Sequence, residues 1–390
     1  MKNCILLGGS NSVLQYGIAS GLEENLEVQR LGLGGTSCIQ NLTETIINAE
    51  KISNADLIVT ESNVNDSFNM HQMNIPFEQM KKQIDDFYRI LNSINSNVYV
   101  LILPINTYAP HIESKDLIDQ INLIHLQNCM KYNFRLIDVA SFTNGIEKND
   151  LCNLMPHPRH LHEAMMHQLG INLYYDYIKN PFEKKDKIQN HNLEYIYKSV
   201  SDLKFRNISI KQNSVYCDSI SKIDSIEFIE EFFLDYEIVA ISAWSDGYSL
   251  LEIKNKQQHI VKPFSHLKTV SELLQPIEIT RDLTFNSIPE NIPPTEKTAL
   301  VVTPKEISPV PTSIVGILIR KKNVTNVNHQ STFAVESRNH LIPNEKPYIK
   351  AHISWENHNL IPIKKQILKL EEELKYTKDK IEKIAKIIQS

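Results

Sequence analysis

The sequence predicts an α/β protein whose first half is a doubly wound parallel sheet, followed by a mainly β domain and a C-terminal coiled-coil helix. Three observations carry this reading. Short apolar runs alternate with helical periodicity up to about residue 180; strand-like runs with turn signals follow; and the tail repeats apolar residues in steps of four and three.

In the first part, Cys4 to Leu7 reads as a strand and Val13 to Leu22 as a helix. A second strand falls near residue 31, and "ADLIVT" (55–60) is a third. Phe77, Met80, Ile84, Phe87, Leu91 and Ile94 then recur at helical spacing. "NVYVLILP" is a nearly continuous apolar strand closed by Pro104, Asp116 to Met130 is helical, "FRLIDV" is a strand and residues 160–178 form a helix. Strands apolar on both faces and separated by helices pack as a parallel sheet with helices on each side. In such sheets ligands bind beyond the carboxyl ends of the strands.

Around Asn180 the composition turns polar, and "NPFEKKDKIQNHN" marks a linker over 181–200. Beyond it "EIVAISAW", "YSLLEI", "HIVKPF", "TALVVTP", "VGILIRKK" and "STFAVES" read as strands, which places a β domain, a sandwich, over 201–360. In residues 361–390, Ile363, Ile367, Leu370, Leu374, Thr377, Ile381, Ile384 and Ile388 form an a/d seam, so a homo-oligomer joined through 363–390 is expected.

The 390 residues carry 41 Lys+Arg against 46 Asp+Glu, a formal charge of −5, and this balance points to no nucleic-acid partner. Cys4, Cys38, Cys129, Cys152 and Cys217 show no CxxC pairing, as expected of reduced thiols. The first apolar run stops at Gly8, too short for a signal peptide or a membrane span, so a cytoplasmic protein is expected.

Polar clusters rich in small residues follow the strands: "GGSNS" after the first, "LGLGGTS" after the second, "ESNVND" after the third and "MPHPRHLHEAMMHQLG" after the last. The topology gathers them at one edge of the sheet, and their residue types suit acyl transfer. A serine hydroxyl attacks only when a base takes its proton, and the tetrahedral intermediate needs fixed donors around its oxyanion. Ser10 is the candidate nucleophile, with His157 or His160 as base. The Ser10 N–H, the Gly35 N–H and the Asn65 amide are the candidate oxyanion donors. Two other readings compete: Ser10 as a helix cap, and His157, His160, His162 and His167 as metal ligands, although no carboxylate or cysteine cluster accompanies them.

With these residues in place, the first 180 or so positions resemble the SGNH/GDSL hydrolase superfamily. "GGSNS" is similar to its nucleophile block, "GLGGTS" to its glycine block, "NVND" to its asparagine block and "HPRHLHEA" to its histidine block. The resemblance implies a flavodoxin-like sheet and gives the four roles to Ser10, Gly35, Asn65 and His157, since Pro158 follows the histidine as in the family. Three positions depart from the pattern: Gly9 stands for the usual Asp, Asn63 for a Gly, and Leu154 for the acid three residues before the histidine. Asp150, Asn153 or a main-chain carbonyl is then left to orient His157.

The resemblance implies a serine esterase or O-acetyltransferase acting on acyl groups of carbohydrate. An acylated sugar or polysaccharide precursor of the cell surface is the expected partner. No cofactor is expected beyond an acyl donor such as acetyl-coenzyme A, should the enzyme be a transferase. A noncatalytic glycan-binding or assembly protein on the same fold is the alternative.

Overall fold

The computed structural model describes residues 2–182, 194–203, 205, 207–213, 216–223, 225–227, 233–265, 268–289, 292–301, 309–322 and 336–355. The expected coiled coil of 363–390 lies outside them.

The chain opens with β1 (Asn3–Leu7), α1 (Ser10–Val13), α2 (Ile18–Glu23), β2 (Glu27–Arg30), α3 (Cys38–Ile47), α4 (Ala49–Asn54), β3 (Leu57–Thr60) and α5 (Asn63–Met73). It continues with α6 (Phe77–Ile94), β4 (Val98–Ile102), α7 (Lys115–Tyr132), β5 (Arg135–Asp138), α8 (Val139–Thr143), α9 (Lys148–Leu154) and α10 (Glu163–Lys179). The strands pair in parallel in the order β5-β4-β3-β1-β2, the doubly wound topology expected. The fully buried run Val98–Ile102 explains itself in this setting: both faces of β4 carry helices, so its side chains have no solvent face to alternate toward.

The expected single helix from Val13 to Leu22 is two. Leu14 is extended (φ −57°, ψ 131°), which ends α1 after one turn, and Gly17 begins α2. The turn that carries Ser10 is therefore followed by a bend.

Beyond the linker come β6 (Tyr195–Ser199), β7 (Ile208–Gln212), β8 (Cys217–Lys222), β9 (Ser225–Glu227), β10 (Tyr236–Trp244), β11 (Ser249–Lys254), β12 (His259–Phe264), β13 (Lys268–Glu278), β14 (Thr284–Ser287) and β15 (Ser313–Lys321). They form two antiparallel sheets. One runs β13-β10-β15-β8-β7, with β6 also on β15; the other runs β12-β11-β14-β9. Ile238, Ile241, Leu251, Phe264, Leu273, Phe285 and Ile317 fill the space between the sheets, the core of a sandwich.

The outer face of the larger sheet is buried as well. Tyr195, Val239, Ala240, Val270 and Leu318 join Ile39, Met80 and Ile84 of α3 and α6 in one apolar cluster. Side chains of both units share this core, and Tyr195 Oη donates to Asp86 Oδ2 while Arg89 pairs with Glu194 across it (2.7 Å).

Two expected strands differ. Within "TALVVTP", residues 298–301 form a turn closed by Val301 N on Thr298 O (3.2 Å). From "STFAVES", Glu336–Ser337 forms β16, which leaves the sandwich and adds a parallel strand to the open edge of β5. Residues up to α11 (Lys346–Trp355) stay with the first unit, where Leu341, Ile342 and Ile349 are buried among Leu154, Leu161 and Leu169. The segment drawn from sequence as the end of the β domain thus packs on the first unit. Its polar groups hold it there: Arg338 N donates to Leu136 O (2.7 Å) and Asp138 N to Asn339 Oδ1 (2.8 Å). Among the described residues no helix is long and apolar enough to cross a membrane.

Candidate active site

Ser10 stands directly after the β1 turn, and its Oγ lies 2.7 Å from His160 Nε2. Gly9, not Ser10, is the N-cap position of α1, so the capping reading of Ser10 does not hold. If Nε2 accepts the Ser10 O–H, the imidazole carries its own proton on Nδ1, the tautomer of a general base.

The structure places His160, and not His157, against Ser10. The reason is a tight turn: His160 N donates to His157 O (3.1 Å), which brings both rings to one side and stacks them at 4.2 Å and 25°. Only the inner ring reaches the serine. His157 is exposed, and its Nδ1 accepts from Arg159 N (3.2 Å). The turn is pinned from outside by Asn106 N donating to Pro158 O (2.8 Å) and Asn11 Nδ2 donating to Arg159 O (3.0 Å). Pro158 therefore serves the turn's anchorage.

Neither Asp150 nor Asn153 orients either histidine. Asp150 is exposed in the first turn of α9, which buries Leu151 and Leu154 instead. Among the described residues the carboxylates paired with histidine belong to His125, His167, His259 and His340, and none serves His160. The residue three before His160 is His157. Burial, then the neighbouring His157 and Arg159, push the His160 pKa down to about 4. His160 is thus neutral at neutral pH, the state a base requires. His162 caps α10 and His167 meets Ser20 Oγ (2.8 Å), so neither joins this cluster.

Asn65 reaches the same point from α5. A side chain at position 9 would put its Cβ 1.8 Å from Asn65 Nδ2, so only glycine lets this amide lie against the turn. Its Nδ2 is buried and without a hydrogen bond among the described residues. A buried donor held next to a nucleophile without a partner is what a developing oxyanion needs. The neighbouring Asp66 fixes the helix start: its Oδ1 accepts from Cys38 N (2.6 Å) and its Oδ2 meets His125 Nε2 (2.9 Å), whose Nδ1 meets Tyr88 Oη (2.8 Å). Asn63 ties α5 to the end of β4 through Leu103 N and O.

The glycine loop completes the ring. Leu33 N donates to Gly8 O (3.0 Å), and a Cβ on Gly34 would lie 3.7 Å from Ser10 Cβ. Gly35 adopts φ +75° and Asn69 Nδ2 donates to its carbonyl (3.1 Å). Ser10, Gly35, Asn65 and His160 are therefore gathered at one edge of the sheet.

Sequence reasoning missed Glu61, although it stands in "ESNVND". Its Oε1 accepts from Gly9 N (2.7 Å) and Ser12 Oγ (2.9 Å) beneath the nucleophile turn, while Oε2 is buried without a partner. Burial pushes its pKa up to about 7, against the opposing effect of these two bonds. In the unfolded chain the carboxyl ionises near its ordinary 4.5. The folded state therefore holds the proton more tightly, and stability falls as pH rises from about 4.5 through 7, by ~3 kcal/mol. In Glu61→Gln this fall is expected to vanish, because the amide oxygen still accepts both bonds and carries no charge. Urea unfolding of both proteins at pH 5 and pH 8 measures it: the wild type loses ground to the variant at pH 8.

No family model matches the chain, and no curated protein matches it. Among solved structures it is similar to a lipase/acylhydrolase from Enterococcus faecalis, at 15% identity and a TM-score of 0.39, over 48% of this chain and 100% of that one. An acetyl xylan esterase is similar at 16% identity and a TM-score of 0.38, over 44% of this chain and 98% of that one. The psychrotrophic esterase EstA from Pseudoalteromonas sp. is similar at 16% identity and a TM-score of 0.35, over 46% and 97%.

Proposed function

We propose that this chain is an SGNH-type serine esterase or acyltransferase that works through a Ser10–His160 dyad. The observation that carries the reading is the 2.7 Å approach of Ser10 Oγ to His160 Nε2 beside Asn65 Nδ2, which has no hydrogen-bond partner among the described residues. In the acylation step Ser10 Oγ bonds to the ester carbon while its proton passes to His160 Nε2. The carbonyl π pair moves onto oxygen, where Asn65 Nδ2 and the Ser10 and Gly35 N–H groups receive it. Collapse re-forms the carbonyl, breaks the bond to the leaving oxygen and returns the His160 proton to it. Water or a sugar hydroxyl then repeats the sequence on the acyl-enzyme, giving hydrolysis or transfer.

The acyl ester of a carbohydrate is the substrate class we favour. A cleft of about 520 Å³ at the carboxyl ends of β4 and β5 is lined by Thr107, Tyr108, Lys115, Asp119 and Asn144. Asn106, between the lining residues Ile105 and Thr107, bonds Pro158 of the histidine turn, and this link is our reason for assigning the cleft to the leaving or accepting group. Ile105, Ile118, Leu126 and Leu151 line the cleft as well, so it offers hydrogen-bonding groups for sugar hydroxyls beside apolar surface for a ring face.

That no carboxylate pairs with His160 among the described residues favours a second reading, a noncatalytic binding protein. One experiment separates them. A fluorophosphonate probe is expected to label the wild type and to leave Ser10→Ala unlabelled; an unlabelled wild type overturns the serine enzyme and leaves the binding protein.

A further inference from the structure

The turn that replaces the expected strand at 298–301 carries Leu300 into the site. Leu300 has φ +64°, a left-handed conformation that is strained for a leucine, and the residue is 52% exposed. Neither feature serves the sandwich core. Yet a Cβ on Gly35 would lie 2.5 Å from Leu300 Cδ1, so the leucine rests on the backbone of the candidate oxyanion glycine.

The turn is held firmly. Glu296 is buried, with Oε1 accepting from Leu274 N (3.1 Å) and Oε2 meeting Lys262 Nζ (3.2 Å), and the same ammonium donates to Lys297 O (2.9 Å). Ala299 is buried in the core shared by the two units. The sandwich grips the glycine loop at two further points: Ser37 Oγ donates to Glu272 Oε1 (2.9 Å) and Tyr216 Oη to Gly32 O (2.8 Å). Leu300 is thus presented by a hydrogen-bonded frame to a loop that the sandwich also holds.

We infer that Leu300 is a specificity-determining residue of the proposed esterase, a wall from the β domain that restricts the acyl group to short chains. This inference rests on the reaction proposed above. Around the tetrahedral carbon the Ser10 oxygen, the oxyanion and the leaving oxygen take three directions, the last toward His160. The acyl group takes the fourth, beside the oxyanion donors and away from the histidine turn. Leu300 lies on the donor glycine, and the histidine turn is held by different residues, Asn11 and Asn106. Its position is that of a stop for the acyl chain.

The test compares kcat/KM for p-nitrophenyl octanoate and acetate in the full-length wild type, Leu300→Ala and Leu300→Gly, with Ser10→Ala as background. Glycine removes both the side chain and the strained backbone, so it keeps the test valid should alanine disturb the turn. The octanoate-to-acetate ratio is expected to rise at least tenfold in both variants, with the gain on octanoate, because a pocket wall discriminates at this scale for a few methylenes. A ratio unchanged within twofold, with turnover still dependent on Ser10, overturns the role of Leu300 and leaves the esterase standing. Absence of Ser10-dependent turnover and of fluorophosphonate labelling in the wild type overturns both.

Discussion

His160→Ala is expected to lower kcat/KM for a short-chain ester about 10³-fold, the scale of a positioned general base. His157→Ala is expected to cost less than tenfold, since the His157 ring meets the base by stacking on the solvent side and its hydrogen bond to His160 N comes from the main chain, which alanine keeps. The reverse ranking would return the role to His157. The pH profile gives an independent measure. The base acts when neutral, and burial with the neighbouring cations holds the His160 pKa to about 4. Activity is therefore expected to stay level from neutrality down to about pH 5 and to fall by half near pH 4. A falling limb near 6.5, the ordinary histidine value, would mean an imidazole in contact with solvent and would overturn this picture of the dyad.

On the proposed reaction Asn65→Ala is expected to lower kcat about 10²-fold with little change in KM, because the amide would meet the oxyanion in the transition state and its Nδ2 has no partner before it among the described residues. Asn65→Asp is expected to be worse still, since a carboxylate of the same size repels the oxyanion. Both variants keep Ser10 and His160, so slow fluorophosphonate labelling persists. The melting temperature of Asn65→Ala should move by only a few degrees, as its Nδ2 contributes no hydrogen bond to the resting protein. A kcat equal to the wild type in Asn65→Ala would remove the amide from the oxyanion site.

The sheet of the first unit was legible because each of its strands is a local pattern: "ADLIVT" and "NVYVLILP" are apolar on both faces, and the helices between them repeat at 3.6 residues. The order of serine, glycine, asparagine and histidine clusters was legible for the same reason, since each follows a strand. What escaped depends on directions and on distant contacts. His157 and His160 sit in one four-residue turn, and spacing does not tell which ring faces inward; the answer lies in the bonds from Asn11 and Asn106. Asp150 looked near enough to orient a base, but the buried Leu151 and Leu154 turn α9 the other way. Gly9, a departure from the resemblance, became intelligible only with Asn65 Nδ2 beside it. Leu300 stood inside an apolar run that reads as a strand, and only tertiary packing reveals its turn.

The strand β16 spans two residues, too short for any periodicity, yet it has a large effect on how this protein can be made. The unit holding Ser10 runs from β1 to α10, and then β16 and α11 return to it after the whole sandwich has intervened. On the ribosome that unit stays unfinished until residue 355 has emerged, with the β5 edge open and the partners of Leu341, Ile342 and Ile349 uncovered. Cutting the chain at the linker would leave the same exposed edge permanently. In the order of synthesis the sandwich is an insertion within the Ser10 unit rather than a module appended to it.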